Sequence, residues 1–313
     1  MVSYIVRKFL LIFPILLLVL TVVFVGVRLV PGNPAVAILG DRATAQTIAA
    51  LEEQMGLNDP VWLQYVNYIK GAVIGDLGES IISNRSVSGE ILRVLPFTIE
   101  LILAGTLVSA LIALPVGTIS ALKQNSLFDY SSRVIAFVGI TMPAFLLAIL
   151  ILILFALIWP IFPIMGGGMR GNPISLLYHL ALPAVTLGLS RGVLLTRATR
   201  SSILEVINKE YIVTARAKGL TERKVFIKHA LRNALIPVVT IMGLDVARSF
   251  GGGVIIANVF SRPGLGKLLV DAIRQHDYPL IQGGVLTLAF LVLLANTTVD
   301  ILYSLIDPRV KYS

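Results

Sequence analysis

"FLLIFPILLLVLTVVFVGVRL" (residues 9–29) is the stretch that decides the fold of this chain. It contains one charged residue, Arg28, and an α-helix needs about 20 apolar residues to cross roughly 30 Å of hydrocarbon. The run follows Arg7 and Lys8, is longer than the roughly 7–15 apolar residues of a signal peptide, and has no A-x-A cleavage pattern after it. The stretch therefore predicts a retained transmembrane helix.

Similar apolar blocks recur along the 313 residues, of which 56% are hydrophobic and 14% charged. Soluble domains usually carry about 25% charged residues. The chain has no cysteine, and its three histidines lack metal-binding spacing. These features predict an all-α integral membrane protein with no metal site. The sequence shows no acid–base pair or nucleophile arranged for catalysis, so the chain by itself is not expected to be an enzyme.

Six blocks are long enough to be transmembrane helices. They cover approximately residues 9–29, 97–122, 134–159, 180–195, 235–256 and 283–306. The fourth block is the least regular, because it contains Pro183 and Arg191. We expect four regions: residues 1–30 with the first span, an outer loop at 31–96, a five-helix core at 97–306, and a tail at 307–313.

The basic residues between spans four and five predict the orientation, because cytoplasmic loops carry an excess of Lys and Arg. Residues 197–233 contain nine basic and three acidic residues, so this loop should be cytoplasmic. An even number of spans then places both termini in the cytoplasm. The net charge of +9 is thus interpreted as a feature of topology and of contact with membrane lipid, with no nucleic-acid partner.

The segment at 31–96 should face outward, since it contains four basic and seven acidic residues. Two short helices are predicted in it, at residues 44–54 and 60–74, with Pro60 suited to a first helical turn. Such a helical loop is expected to fold over the outer mouth of the bundle.

The loop at 197–233 has its own pattern. Apolar residues at intervals of three and four predict a helix over 201–218. Gly219 stands where a left-handed glycine would end it, and Thr221 is a candidate N-cap of a second helix with Glu222 in its first turn.

Three explanations of this loop are open on the residues alone. It can be a topology signal that binds anionic lipid head groups, an amphipathic helix in the membrane interface, or a docking surface for a soluble partner. Only the docking surface needs a rigid turn between two patterned helices, because rigid geometry transmits motion.

Several motifs resemble one family in the order in which they occur. They are "LVPGNP" (29–34), "TRSSILEV" (199–206), "EYIVTARAKGL" (210–220), "HALRNALIPVVT" (229–240), "FSRPGLGKLLVDAI" (260–273), "DYPLIQGGVL" (277–286) and "DILYSLIDPRVK" (300–311). The chain resembles, over nearly its whole length, the permease subunits of bacterial ABC importers of the dipeptide, oligopeptide and nickel class. Its long segment after the first span is similar to that of the first of the two permeases in such systems.

The resemblance implies six transmembrane helices in the bacterial inner membrane and a cytoplasmic coupling helix between helices 4 and 5. That helix would dock on a separate ATPase through Thr214, Ala215, Arg216, Ala217, Lys218, Gly219 and Leu220. It further implies a homologous second permease, two ATPase subunits and an extracytoplasmic substrate-binding protein as partners. ATP and Mg²⁺ would be bound by the ATPases, and the "GLGK" at 264–267 lacks the spacing of a Walker A motif. Short peptides are the expected substrates, with nickel complexes, glutathione and oligosaccharides as alternatives.

Ionisable residues within the spans are candidates for function, because each costs about 2.5–3.5 kcal/mol at mid-helix. The candidates for the translocation path are Glu100, Arg191, Asp245 and Arg248. In one interpretation Glu100 reaches the interface while Asp245 and Arg248, three residues apart, neutralise each other. In the other, Arg191, Asp245 and Arg248 line the path and meet the termini of a zwitterionic peptide. The glycines at 251–253 either loosen the fifth span or allow close helix packing.

Two other classes of protein are compatible with a basic loop between apolar spans. An ion-coupled secondary transporter would need ion sites within the chain, for which Glu100 and Asp300 are the candidates. An internal inverted repeat, which is common in such transporters, is not visible in the sequence. A membrane scaffold would use the loop at 197–233, called the basic loop below, to recruit a signalling protein. Nucleotide-dependent uptake separates both from an ABC importer.

Overall fold

The structure, a computed structural model, describes residues 2–29, 34–39, 44–54 and 56–306. The predicted tail at 307–313 lies outside the described residues, as does most of the "LVPGNP" motif. The helices are α1 (Val2–Leu29), α2 (Pro34–Leu39), α3 (Ala45–Gln54), α4 (Val61–Ile74), α5 (Val87–Leu122), α6 (Leu127–Thr141), α7 (Ala144–Leu152), α8 (Pro173–Ile207), α9 (Glu210–Ala217), α10 (Glu222–Lys224), α11 (Arg232–Val259), α12 (Leu265–Arg274) and α13 (Tyr278–Ile306). Two π-helical segments, Ile153–Ile158 and Val225–Leu231, continue α7 and α10.

The described residues contain five helices long and apolar enough to cross a membrane, and a sixth span if α6 and α7 are counted as one broken span. The prediction of an all-α membrane protein is confirmed. The predicted loop helices are confirmed as α3 and α4, although Pro60 occupies the N-cap of α4 and not its first turn.

The third predicted span, at 134–159, is not one continuous helix. Leu127–Thr141 and Ala144–Ile158 meet at a bend of 105°. Met142 adopts an extended backbone conformation (φ −78°, ψ 120°) and Pro143 is the N-cap of α7. A residue before proline is driven out of the α region by the proline ring, which explains the break.

The second and fourth spans are longer than predicted, because α5 has 36 residues and α8 has 35. At about 1.5 Å per residue, each is more than 50 Å long and exceeds the hydrocarbon thickness. Hydropathy detects only the apolar part of such helices. The polar turns at their ends are helical as well, and in α8 those turns form the first part of the basic loop at 197–233.

The chain divides into two compact units, the first comprising Met1–Thr98 and Pro263–Leu293 and the second Ile99–Arg262 and Leu294–Ser313. In the first unit, α12 places Leu265 and Leu269 in a buried cluster with Val87 and Ile91 of α5. The Thr98 hydroxyl accepts a hydrogen bond of 2.8 Å from the backbone N–H of Leu265. The start of α12 is therefore held against α5.

In the second unit, glycines bring α5 and α8 into close contact. A Cβ atom on Gly105 would lie 2.6 Å from Leu187 Cδ2, and one on Gly188 would lie 2.6 Å from Val108 Cγ1. Small residues at such positions let helix backbones approach within a membrane. Leu187 is buried in a cluster with Ala148, Leu182 and Ile256, so α8 is central to this unit.

Candidate functional site

The helix predicted over 201–218 in the basic loop is broken at residues 208–209. Helix α8 ends at Ile207, Lys209 is extended (φ −76°, ψ 148°), and α9 starts at Glu210. The Asn208 side chain donates a hydrogen bond of 2.9 Å to the carbonyl of Leu204. Such local bonds from asparagine compete with the helical ladder, so this part of the prediction was wrong.

Gly219 has the predicted left-handed conformation, with φ of +76°. Its N–H donates to the carbonyl of Arg216 at 2.9 Å, and the N–H of Lys218 donates to that of Thr214 at 3.1 Å. Thr221 occupies the predicted N-cap position without a side-chain capping bond. A tight turn therefore ends α9, as the sequence predicted.

An ion pair joins the two sides of this turn. Arg216 donates from Nε to Glu222 Oε1 at 2.8 Å and from Nη2 to Glu222 Oε2 at 3.2 Å. Both side chains are exposed, so the pair adds little stability. Its two hydrogen bonds connect the end of α9 with the first residue of α10.

The predicted second helix is not a separate element. Glu222–Val259 forms one continuous helix that includes α10, the π-helical segment and α11. The turn at Gly219 is therefore followed, within three residues, by the helix that contains the fifth span.

One face of α9 is anchored within the chain. Ile212 and Ala215 are buried in a cluster with Val225 and Ala230, and Leu220 packs against it. The other face is open, with Thr214, Arg216, Ala217 and Lys218 exposed together with Gly219. Of the seven predicted docking residues, Ala215 and Leu220 therefore point into the chain.

Three of the four predicted path residues lie together. Arg248 Nη1 is 3.9 Å from Asp245 Oδ1, and Arg191 Nη2 donates to the carbonyl of Arg248 at 3.1 Å. A Cβ atom on Gly252 would lie 2.5 Å from Arg191 Nη2. The glycine therefore leaves the space that the guanidinium of Arg191 occupies.

This cluster retains unused hydrogen-bonding capacity. Asp245 Oδ2 and Arg191 Nε are buried and have no hydrogen-bond partner among the described residues. Both side chains line a narrow cavity with Ser109 and Thr106 of α5. Such buried polar atoms are costly unless they are satisfied, which marks the cluster as a candidate ligand site.

Glu100 lies apart from that cluster. Its Oε2 accepts a hydrogen bond of 2.8 Å from Nη2 of Arg262, whose side chain is fully buried. Sequence reasoning did not single out Arg262, although it lies only three residues after the end of α11, the helix of the fifth span.

A second feature missed by sequence reasoning is Asp129, at the start of α6. Its carboxylate is fully buried and accepts bonds from Arg200 Nε (2.7 Å), Arg200 Nη2 (2.8 Å), Ser120 Oγ (2.5 Å) and the Asn125 N–H (3.0 Å). The available signal was local: Ser126 caps the backbone N–H of Asp129 in an S-x-x-D pattern at a helix start.

A multi-pass helical bundle with paired charges inside its spans is typical of membrane transport proteins. The comparisons with known proteins define the class further. Residues 113–312 match the family model "Binding-protein-dependent transport system inner membrane component", and residues 1–102 match the N-terminal model of such membrane components. The chain therefore belongs to the family of inner membrane components of binding-protein-dependent transport systems.

Individual relatives agree with this assignment. The dipeptide transport system permease protein DppB of Alkalihalophilus pseudofirmus is 41% identical over the whole of both chains. DppB of Escherichia coli K12 is 36% identical over 100% of this chain and 99% of its own. The glutathione transport system permease protein GsiC of E. coli O6:H1 is 38% identical over the whole of both chains.

A solved structure supports the fold. A chain of the MetNI methionine ABC transporter, in an inward-facing conformation, matches with a TM-score of 0.58 at 18% identity. The match covers 70% of this chain and 96% of that chain. This likeness concerns the fold, whereas the family match and the full-length identity to permease proteins show that the chain is an ABC-type permease subunit with several transmembrane helices.

Proposed function

We propose that this chain forms half of the translocation pathway of an ATP-driven importer of short peptides. The observation that carries the proposal is the identity of 41% to a dipeptide permease over the full length of both chains. A homologous permease completes the pathway, an extracytoplasmic binding protein delivers the peptide, and two ATPase subunits bind ATP and Mg²⁺. Both termini lie in the cytoplasm, and basic loop residues contact anionic lipid.

The turn at Gly219 is the proposed link to the ATPases. The exposed face of α9, with Thr214, Arg216, Ala217 and Lys218, docks on an ATPase, while buried Ile212 and Ala215 hold α9 on the chain. Because Glu222–Val259 is one continuous helix, closure of the ATPases would move the end of the fifth span.

The cluster of Arg191, Asp245 and Arg248 is the proposed substrate contact. Arg248, which is largely exposed, can donate to a peptide carboxylate, and the neighbouring Asp245 supplies a negative charge that favours a peptide amine. A zwitterion would then have a partner of opposite charge for each of its termini. Glu100, already paired with Arg262, has a structural role at its own site and is the weaker path candidate.

The proposed function is tested by uptake of labelled dialanine into proteoliposomes. They contain this chain, its operon-neighbour permease and ATPases, and the binding protein. We expect uptake with ATP and none with a non-hydrolysable analogue. Unlabelled glutathione is the competitor of interest, because GsiC relatives are 38–39% identical over the full chain. Uptake driven by an ion gradient without ATP would contradict the proposal.

Asp245→Asn and Arg248→Gln should each reduce dialanine uptake about tenfold or more, because a lost hydrogen bond to a charged group is worth about 1.5–3 kcal/mol. ATP hydrolysis and co-purification of the subunits should be retained. The matched control is Arg274→Gln, since Arg274 is exposed and outside the cluster. Normal uptake by both cluster variants would remove these residues from the path.

A further inference from the structure

A second polar feature of the second unit is a cleft of about 790 Å³ between α6, α8 and α11. Four arginines line it: Arg133, Arg197, Arg200 and Arg248. Among the described residues, no acidic side chain belongs to its wall. We call this feature the basic cleft.

The positive charge of the basic cleft is only partly neutralised by two carboxylates, which contact the arginines without lining the cleft. Asp129 bonds to Arg200 and lies 3.5 Å from Arg133, and Asp245 lies 3.9 Å from Arg248. Arg197 is exposed and has no hydrogen bond or ion pair within the part of the chain that is described. Four cations thus face two carboxylates, which leaves the cleft electropositive.

The charges occupy the two ends of the basic cleft. On α11 the wall runs from Ile241 to Arg248, a distance of about 10 Å at 1.5 Å per residue. Arg248 also belongs to the cluster with Arg191 and Asp245. The wall between the ends is apolar and includes Phe137, Leu194 and Leu244. The cleft therefore connects the proposed substrate contact to a second, arginine-rich position.

We propose that the basic cleft is a second binding station for the carboxylate of the transported solute. The solute moves from Arg248 to Arg133, Arg197 and Arg200, and the intervening apolar wall accommodates its side chains. This inference deepens the proposed function and rests on it. A carboxylate suits the site because guanidinium groups bind it with two-point geometry.

The position of Arg248 argues against an anionic lipid as the occupant. A phospholipid with its head group at Arg133, Arg197 and Arg200 would direct its acyl chains along the apolar wall toward Arg248. Placing hydrocarbon against an exposed guanidinium is unfavourable. A short solute with a charged terminus has no such conflict.

The test uses the absence of cysteine from this chain. Ala198→Cys introduces one thiol into the wall of the basic cleft, and Gln46→Cys places a control thiol on exposed α3. The assembled transporter in nanodiscs is labelled with methanethiosulfonates carrying either a sulfonate or a trimethylammonium group. The label is then quantified on the band of this chain. This readout requires no transport.

We expect the ratio of anionic to cationic labelling rates to be roughly fivefold higher for Ala198→Cys than for Gln46→Cys. The arginines of the cleft attract the anionic reagent and repel the cationic one, and water weakens this effect over several ångströms. Adding Arg197→Gln should lower this ratio severalfold. Lys123→Gln removes an exposed cation outside the cleft and should leave it unchanged. Dialanine should slow labelling by the anionic reagent, whereas dialanine amide should not.

The possible results separate the two proposals. The proposed carboxylate site would be overturned if both thiols had the same ratio of anionic to cationic labelling. It would also be overturned if dialanine and dialanine amide protected the Ala198→Cys thiol equally. Protection by phosphatidylglycerol in the nanodisc, without protection by dialanine, would also overturn it in favour of a lipid site. If ATP-driven uptake succeeds while the labelling shows no charge preference, only the inference about the basic cleft fails.

Discussion

Gly219→Pro is expected to reduce ATP-driven uptake to background. Proline fixes φ near −65° and lacks the N–H, whereas Gly219 has a φ of +76° and donates from its N–H to Arg216. The misfit should cost about 3 kcal/mol or more, which reduces the population of the native turn about 100-fold. Uptake and ATP hydrolysis are measured in the same proteoliposomes.

The controls separate backbone conformation from side-chain bulk. No atom lies within 4 Å of the position that a Cβ would take at Gly219, so steric overlap is not expected from any small residue. Asparagine tolerates the left-handed conformation, and Gly219→Asn should retain most of the uptake. Gly219→Val should lose it, because a β-branched residue is strained there.

The manner of failure is informative. If Gly219→Pro co-purifies with the ATPases and hydrolyses ATP without uptake, the turn transmits motion. If it no longer co-purifies, the turn is needed for docking. Wild-type uptake by Gly219→Pro would show that neither role belongs to this turn, and the basic loop would then be explained by topology and lipid contact.

Features decided by local chemistry could be predicted from the sequence. The spans follow from apolar length, and the turn follows from a glycine placed after a patterned helix. The break at Pro143 is also local, but the uninterrupted hydropathy of 134–159 concealed it. The stop at Asn208 was missed for a similar reason, since the apolar period runs through it.

Features decided by contacts between distant residues could not be predicted. Arg191 and Arg248 are 57 positions apart, and Asp129 and Arg200 are 71 apart. Their pairing depends on how α8 packs against α6 and α11, and a hydropathy pattern contains no information about that packing. The grouping of Arg191 with Asp245 and Arg248 was predicted because charged residues are rare within apolar spans. That argument does not require knowledge of how the helices pack. Asp129 was hidden because it stands at a polar helix end, where carboxylates are common.

Asp129→Asn is expected to lower the free energy of unfolding by about 2 kcal/mol, the value of a hydrogen bond to a charged group. The Asp129 carboxylate accepts two bonds from Arg200 and one each from Ser120 and the Asn125 N–H. An asparagine amide has one oxygen, so its NH₂ group would face one of these donors. Thermal unfolding in detergent is the measurement.

The matched control is Glu205→Gln, which removes a carboxylate paired with Lys209 at 3.1 Å where both side chains are exposed. Exposed pairs contribute about 0.2–1 kcal/mol, so this change should be barely detectable. Arg200→Gln should destabilise as much as Asp129→Asn, and the double variant should lose less than the sum, because the two residues share one interaction. Additive losses would mean that the pair is not the source of the stability. Equal unfolding midpoints for Asp129→Asn and Glu205→Gln would mean that the start of α6 is not held to α8 by this carboxylate.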